Sequence, residues 1–300
     1  MRFLTLSIFF VIVISLSPET SLTVCPKFTS IEEAQKQKDS VCELVLIGKG
    51  YSEVPEEIFS FPNLEYLNLS NNLIDSLPRK MKELTKLDGI DLSKNSFTDF
   101  PNELKSITSL ERIILDNNKI DDVPNDLNQM KNLNSLSLMN NQVSELPIQF
   151  VKIKNLEYLN LIGNRLSYLP YNFQALENLT SLYLGNNDDL TIPDEIFNLK
   201  KLLRLSISNI GLKKVPEKIV KLKNLKWLSL SYNKIETLNN ELSELSNLEV
   251  LYLNGNKLTS IPDTFNSLKN LKKISIADNQ IGKIKYLEIK NLFPSAEVDY

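Results

Sequence analysis

The chain has 300 residues, 34 basic and 37 acidic side chains mixed throughout, a net charge of −3 and no histidine. Without a basic stripe, nucleic acid and anionic membranes are poor partners. Without histidine, Ser-His-Asp and Cys-His catalysis and the commonest zinc ligand are absent.

Met1-Arg2 precedes an apolar run from Phe3 to Leu16, followed by polar Ser17-Pro18-Glu19-Thr20-Ser21. A membrane span needs about 20 apolar residues, so this shorter run reads as a secretory signal over 1–23, cut after Thr23. Residues 24–40 read as an N-terminal cap. Ser30-Ile31-Glu32-Glu33 matches a capping box, with Ser30 as N-cap and Glu33 reaching back, and predicts a short helix from Ile31 to Lys38. Cys25 and Cys42 are the only cysteines. Three readings stay open for them. A disulfide would pin the cap, an acyl chain on Cys25 of Leu22-Thr23-Val24-Cys25 would anchor the protein, or both thiols are free.

From Val41 a 23-residue unit repeats eleven times without insertion, starting at 41, 64, 87 and so on to Leu271, and fills residues 41–291. One copy runs Leu156-x-x-Leu159-x-Leu161-x-x-Asn164-x-Leu166-x-x-Leu169-Pro170, with Phe173 and Leu176 beyond. The L-x-L core alternates with period two and predicts one short strand per repeat, half-buried. Asparagine holds the ninth position in nine copies and proline the fifteenth in nine. A column of amides would satisfy backbone groups where each strand turns away, and proline suits an extended or one-turn return. This is the leucine-rich repeat signature. It predicts an α/β repeat solenoid, a horseshoe with a parallel concave β-sheet and short 3-10, helical or extended convex segments.

Departures from the pattern predict local repairs. Lys49 and Ile210 replace the ladder asparagine. Asp189 takes an apolar slot, so its loop should bulge to bring Leu190 inward. Near the end, Lys285, Glu288 and Asn291 replace proline or apolar residues. Residues 292–300 then read as a C-terminal cap, a last helical turn followed by a closing edge strand.

No phosphate loop, C-x-x-C pair or calcium loop pattern is present, and the acidic pairs Asp121-Asp122 and Asp188-Asp189 read as solvated turns. No catalytic residue, metal, cofactor or small-molecule substrate is therefore expected. Asn68-Leu69-Ser70 and Asn178-Leu179-Thr180 match the glycosylation sequon.

Function should then reside on outward-facing strand positions. Tyr158, Tyr183, Arg204, Trp227 and Tyr252 fall in five consecutive repeats, of the types that dominate interface hot spots; Tyr66 and Arg112 occupy the same columns upstream, and Tyr232 lies on the rim. Ser137, Ser181, Ser206 and Ser229 between them should keep the floor open so that the large side chains stand proud, with Ile114, Met139 and Ile162 as an adjoining apolar strip. The aromatics can equally stack on strand neighbours to stabilise the sheet.

The x-Leu-Pro-x-x-Ile phrasing of Val54-Pro55-Glu56-Glu57-Ile58 and Ile192-Pro193-Asp194-Glu195-Ile196 resembles the bacterial family of 23-residue leucine-rich repeat proteins. The segment Phe28-Thr29-Ser30-Ile31-Glu32-Glu33-Ala34, leading to Val41-Cys42-Glu43-Leu44, is similar to the start of such proteins from Leptospira and related bacteria, as Leu292-Phe293-Pro294 is to their closing segment. The resemblance implies an exported or surface-exposed protein that engages a host or extracellular protein. The alternatives are a structural envelope component tethered through Cys25, touching membrane only by that lipid, and a cytosolic scaffold.

Overall fold

A computed structural model describes residues 25–300. The signal segment expected over 1–23 lies outside them.

Thirteen strands form one parallel sheet in strict chain order. Cap strand β1 (Lys27–Phe28) pairs with β2 (Glu43–Val45), followed by β3 (Tyr66–Asn68), β4 (Gly89–Asp91), β5 (Arg112–Ile114), β6 (Ser135–Ser137) and β7 (Tyr158–Asn160). Next come β8 (Ser181–Tyr183), β9 (Arg204–Ser206), β10 (Trp227–Ser229), β11 (Val250–Tyr252), β12 (Lys273–Ser275) and β13 (Glu297–Asp299). The registers Glu43↔Tyr66↔Gly89 and Arg204↔Trp227↔Val250 show each repeat position meeting its own copy in the next turn. Parallel strands demand a crossover, and here it is a tight one. Ten 3-10 turns, from Glu56–Ser60 to Asp263–Ser267, cover the convex side. The carbonyl before each turn closes it, as when Ile58 N–H donates to Pro55 O at 3.1 Å.

One continuous core lies between the layers, with Leu44, Leu67, Leu136, Leu159 and Leu251 from the strands fully buried against Ile58, Phe150, Phe173 and Phe265 from the turns. Each such side chain contributes roughly 1.5–3 kcal/mol when buried. No repeat can realise that alone, because its apolar face closes only on its neighbours.

The asparagine column performs the role its chemistry allows. Asn164 Nδ2 donates to the carbonyls of Leu138 (2.8 Å), Leu161 (3.0 Å) and Ile162 (3.4 Å), while its Oδ1 accepts from Val143 N–H (3.0 Å). It therefore stitches its own turn to the one before. At the Ile210 gap, Asn233 Oδ1 accepts from both Ile210 N–H (3.1 Å) and Leu212 N–H (3.0 Å), and Gly211 takes φ +80 to permit it. Leu190 is buried and Asp189 exposed, the expected local repair. A second column was not expected. Asn132, Asn155, Asn178, Asn224, Asn247 and Asn270, each just before a new repeat, donate to carbonyls 24 residues upstream at 2.7–2.9 Å.

Both caps differ from expectation in their helices. α1 spans Ile31–Gln35, with Ser30 Oγ accepting from Glu33 N–H at 3.1 Å. It stops short of Lys38 because the chain must turn through Lys38–Ser40 to sink Val41 into the core. At the far end α2 spans Lys283–Leu292, a full helix where a single turn was expected. It occupies the convex segment of the eleventh repeat. Without proline at 285 that stretch is free to wind on, burying Ile289 and leading to buried Phe293. β13 then closes the sheet beside β12.

Candidate functional site: the concave face

Side chains at the third and fifth repeat positions point away from the core. Four aromatic rings from this face form an unbroken row. Tyr158 and Tyr183 lie 5.5 Å apart between centroids, Tyr183 and Trp227 5.9 Å, and Trp227 and Tyr252 5.6 Å. The interplanar angles of 50–61° are tilted to edge-on, the arrangement the ring quadrupole favours. The rings alternate between third and fifth positions, so the row zigzags across the sheet from β7 to β11, skipping β9. Arg204 of β9 is exposed beside it.

The serines do not hold the rings upright. Ser181, Ser206 and Ser229 are buried beneath the row, and the four rings are half-buried rather than proud. Small hydroxyl side chains let the rings lie down and touch. Each ring thus serves cross-strand packing while remaining only half-buried. Burial pushes the Tyr158 and Tyr183 hydroxyls well above the usual phenol range. Both stay neutral hydrogen-bonding groups at any ordinary pH.

Tyr66 and Arg112 do not join this row. They flank Gly89 on β3 and β5, where an added Cβ would sit 2.9 Å from Tyr66 Cδ2 and 3.1 Å from Arg112 Nη2. Arg112 is held by Asp88 at 2.6 Å. Burial pushes the Tyr66 phenol up to about 12. Tyr232, 58 % exposed, stands on the rim over Gly255, whose missing side chain makes the space.

These upstream residues line a groove of about 900 Å³ that runs from the first cap to Tyr158 and Arg204. On its floor is Asp116, not singled out from the sequence. Its Oδ1 accepts from Ser137 Oγ and from Met139 N–H (2.8 Å), and burial, with Asp91 adding repulsion, pushes its carboxyl up to about 6. Asp91 is also raised by burial, although Ser93 N–H (2.9 Å) and Asn68 Nδ2 (3.2 Å) support it. Ile114, Met139 and Ile162 are half-buried beside them. A charged residue at the seventh repeat position, where neighbours are small or apolar, was the one signal that could have marked Asp116.

Cys25 and Cys42 are joined in a disulfide, with Cα atoms 5.8 Å apart. Among the described residues the one group able to converge on a metal is Cys25, Cys42 and Glu65, and its sulfurs are bonded to each other. Both sequon amides are engaged: Asn68 donates to Asp91, and Asn178 donates to Lys154 O at 2.7 Å.

Comparison with known proteins agrees with this geometry. The leucine rich repeat family pattern matches in overlapping windows from 43–97 to 224–281. The chain belongs to the leucine-rich repeat family. Proteins of this family commonly mediate protein–protein interaction. A TDR receptor structure is 28 % identical with a TM-score of 0.70, over 89 % of this chain and 48 % of that one. The internalin InlF of Listeria monocytogenes is 22 % identical with a TM-score of 0.66, over 90 % and 82 %, a likeness of fold. A Leptospira interrogans leucine-rich repeat protein is 24 % identical over 92 % of this chain and 100 % of that one, with a TM-score of 0.40. No curated protein matches the chain.

Proposed function

We propose that this leucine-rich repeat chain is an exported, non-enzymatic protein that holds another protein, host or extracellular, on its concave face. The observation that carries the reading is the contiguous row Tyr158–Tyr183–Trp227–Tyr252, half-exposed on an otherwise small-residue floor. Tyr and Trp bury large area at little rotamer cost, and a central cluster of them is where binding energy concentrates. Trp227 and Tyr183 are the anchors in this reading, and Arg204 orients a carboxylate or stacks on an aromatic of the partner.

Export is supported by the apolar leader, and a bacterial surface setting by the cap resemblance. A Cys25 sulfur engaged with Cys42 is not available for acylation, which favours a soluble or loosely held protein over a lipid-tethered one. The mass of the mature N-terminus tests this: cleavage without added lipid is expected, and an acylated Cys25 would replace it with the tethered reading.

For binding, the test is capture of extracellular proteins by wild type against Tyr183→Ala/Trp227→Ala. Both side chains are half-buried on the concave face outside the core, so the double variant should keep its circular dichroism spectrum with only a modest fall in melting point while losing the partner. A partner retained by the folded variant would move the function to another face.

A further inference from the structure

The two halves of the concave face differ in charge as well as in aromatic content. Five carboxylates line the upstream groove (Glu43, Glu65, Asp88, Asp116 and Glu157) against three cations, Lys27, Arg112 and Arg204. Two of the cations are already spent, Lys27 on Glu43 at 3.5 Å and Arg112 on Asp88 at 2.6 Å. That leaves Glu65, Asp116 and Glu157, with Arg204 at the far end beside the aromatic row. Along the last strands the charges are instead matched: Lys226 and Lys272 share the carboxylate of Glu249 at 3.1 and 2.5 Å, and Lys273 pairs with Glu297 at 2.7 Å.

Asp116 is the informative member. It is half-buried on the floor, has no ion-pair partner among the described residues, and feels the repulsion of another carboxylate, Asp91. A desolvated carboxylate without a cation is unfavourable in the free protein and is relieved by any cation brought to it. Ser137 Oγ and Met139 N–H fix its position in advance, so little ordering remains when a partner arrives. Tyr158 forms the wall at this point and is also the first ring of the row.

We propose that the concave face accepts an extended segment of a partner protein with a lysine or arginine seated at Asp116 and apolar side chains on the downstream rings. This inference rests on the concave-face reading above and adds the chemistry of the ligand and its direction along the solenoid. The partner's basic residues lie toward the first cap, with Glu65 and Glu157 on the groove edges, and its apolar residues cross Tyr183, Trp227 and Tyr252. Charge complementarity of this kind sets register and orientation more than raw affinity, so binding should also weaken with salt.

The test is selection of a random dodecapeptide library on the purified chain, followed by titration of the enriched peptides. The titrations use wild type, Asp116→Asn/Glu157→Gln, Trp227→Ala, and a convex-side control of equal charge change, Glu217→Gln/Glu241→Gln. Peptides carrying Lys or Arg beside apolar residues are expected. Their affinity should fall at least tenfold on Asp116→Asn/Glu157→Gln and on Trp227→Ala, and stay within about twofold on the control. Enriched peptides without a basic residue that still require Trp227 would overturn this inference and leave the binding face standing. An equal loss on the convex control would overturn it as non-specific charge attraction. Peptides indifferent to both concave variants, or no enrichment at all, would overturn both readings.

Discussion

Asp116 should make the protein less stable than it could be, by an amount that depends on pH. Its carboxyl titrates at about 6 in the folded chain, against about 3.9 in an unfolded one. The sign follows from linkage. Between those values the folded state binds the extra proton, so stability falls as pH rises through the window, and the full penalty is present above about 6. Two pKa units correspond to about 3 kcal/mol, an upper bound for a group still partly open to the groove. Asp116→Asn keeps the oxygen that accepts from Ser137 Oγ and Met139 N–H and removes the charge. The variant should therefore be more stable than wild type at pH 7.5 by about 1–3 kcal/mol, an advantage that disappears below about pH 3, under the unfolded value. Urea denaturation of both proteins at several pH values measures this, because titrating groups remote from Asp116 cancel and the difference reports Asp116 together with its repulsion of Asp91. A variant less stable at pH 7.5, or an offset that does not change with pH, would refute the reasoning.

Other parts of the molecule yield expectations of similar size. Asn164→Ala removes three donated bonds and one accepted bond at the junction of adjacent turns. The buried carbonyls left behind should cost about 3 kcal/mol or more in chemical denaturation, and a loss below about 1 kcal/mol would show that water replaces the amide. Opening the Cys25–Cys42 bridge, which spans 17 residues, by Cys25→Ser/Cys42→Ser should lower stability by about 3 kcal/mol, with hydrogen exchange rising first in β1 and α1. Gly89→Ala would place a methyl against both Tyr66 and Arg112. It should push the guanidinium off Asp88, visible as loss of the 2.6 Å Arg112–Asp88 contact in a crystal structure of the variant, at a stability cost of no more than about 1–2 kcal/mol.

Almost all of the scaffold was legible because each repeat position has one physical task and states it eleven times. The strand registers, the amide column and the inward turn of Leu190 all follow from reading one copy and its departures. What was hidden depends on distances between copies. Small serines at 181, 206 and 229 predict upright rings, whereas the rings use that space for contact with each other. That outcome is decided by ring size against the strand spacing of about 4.8 Å, which pattern alone does not contain. The second asparagine column is hidden in the sequence because those residues precede the repeat's first leucine and look like ordinary surface amides. The length of α2 was underestimated for the opposite reason. Lys285, Glu288 and Asn291 read as decay of the repeat, yet they are good enough helix residues once proline is gone.

Asp116 shows how this architecture separates stability from recognition. In a solenoid the core is a sum of neighbour contacts, and the strand leucines, the convex phenylalanines and the amide ladder supply it at every turn. Third, fifth and seventh positions contribute little to that sum, so they can carry groups that are unfavourable in isolation. An uncompensated carboxylate worth a few kcal/mol against folding would threaten a small single-core domain; among eleven stacked repeats it is tolerated locally. The same reasoning constrains the aromatic row. If the rings existed only to brace the sheet, replacing Trp227 and Tyr183 by alanine should destabilise β8 to β10 strongly while leaving peptide affinity untouched. If they are anchors, affinity should drop at least tenfold with only a modest change in denaturation midpoint, since both rings are only half-buried. Measuring both quantities on the same double variant separates packing from recognition, and a large stability loss without an affinity loss would assign the row to the scaffold.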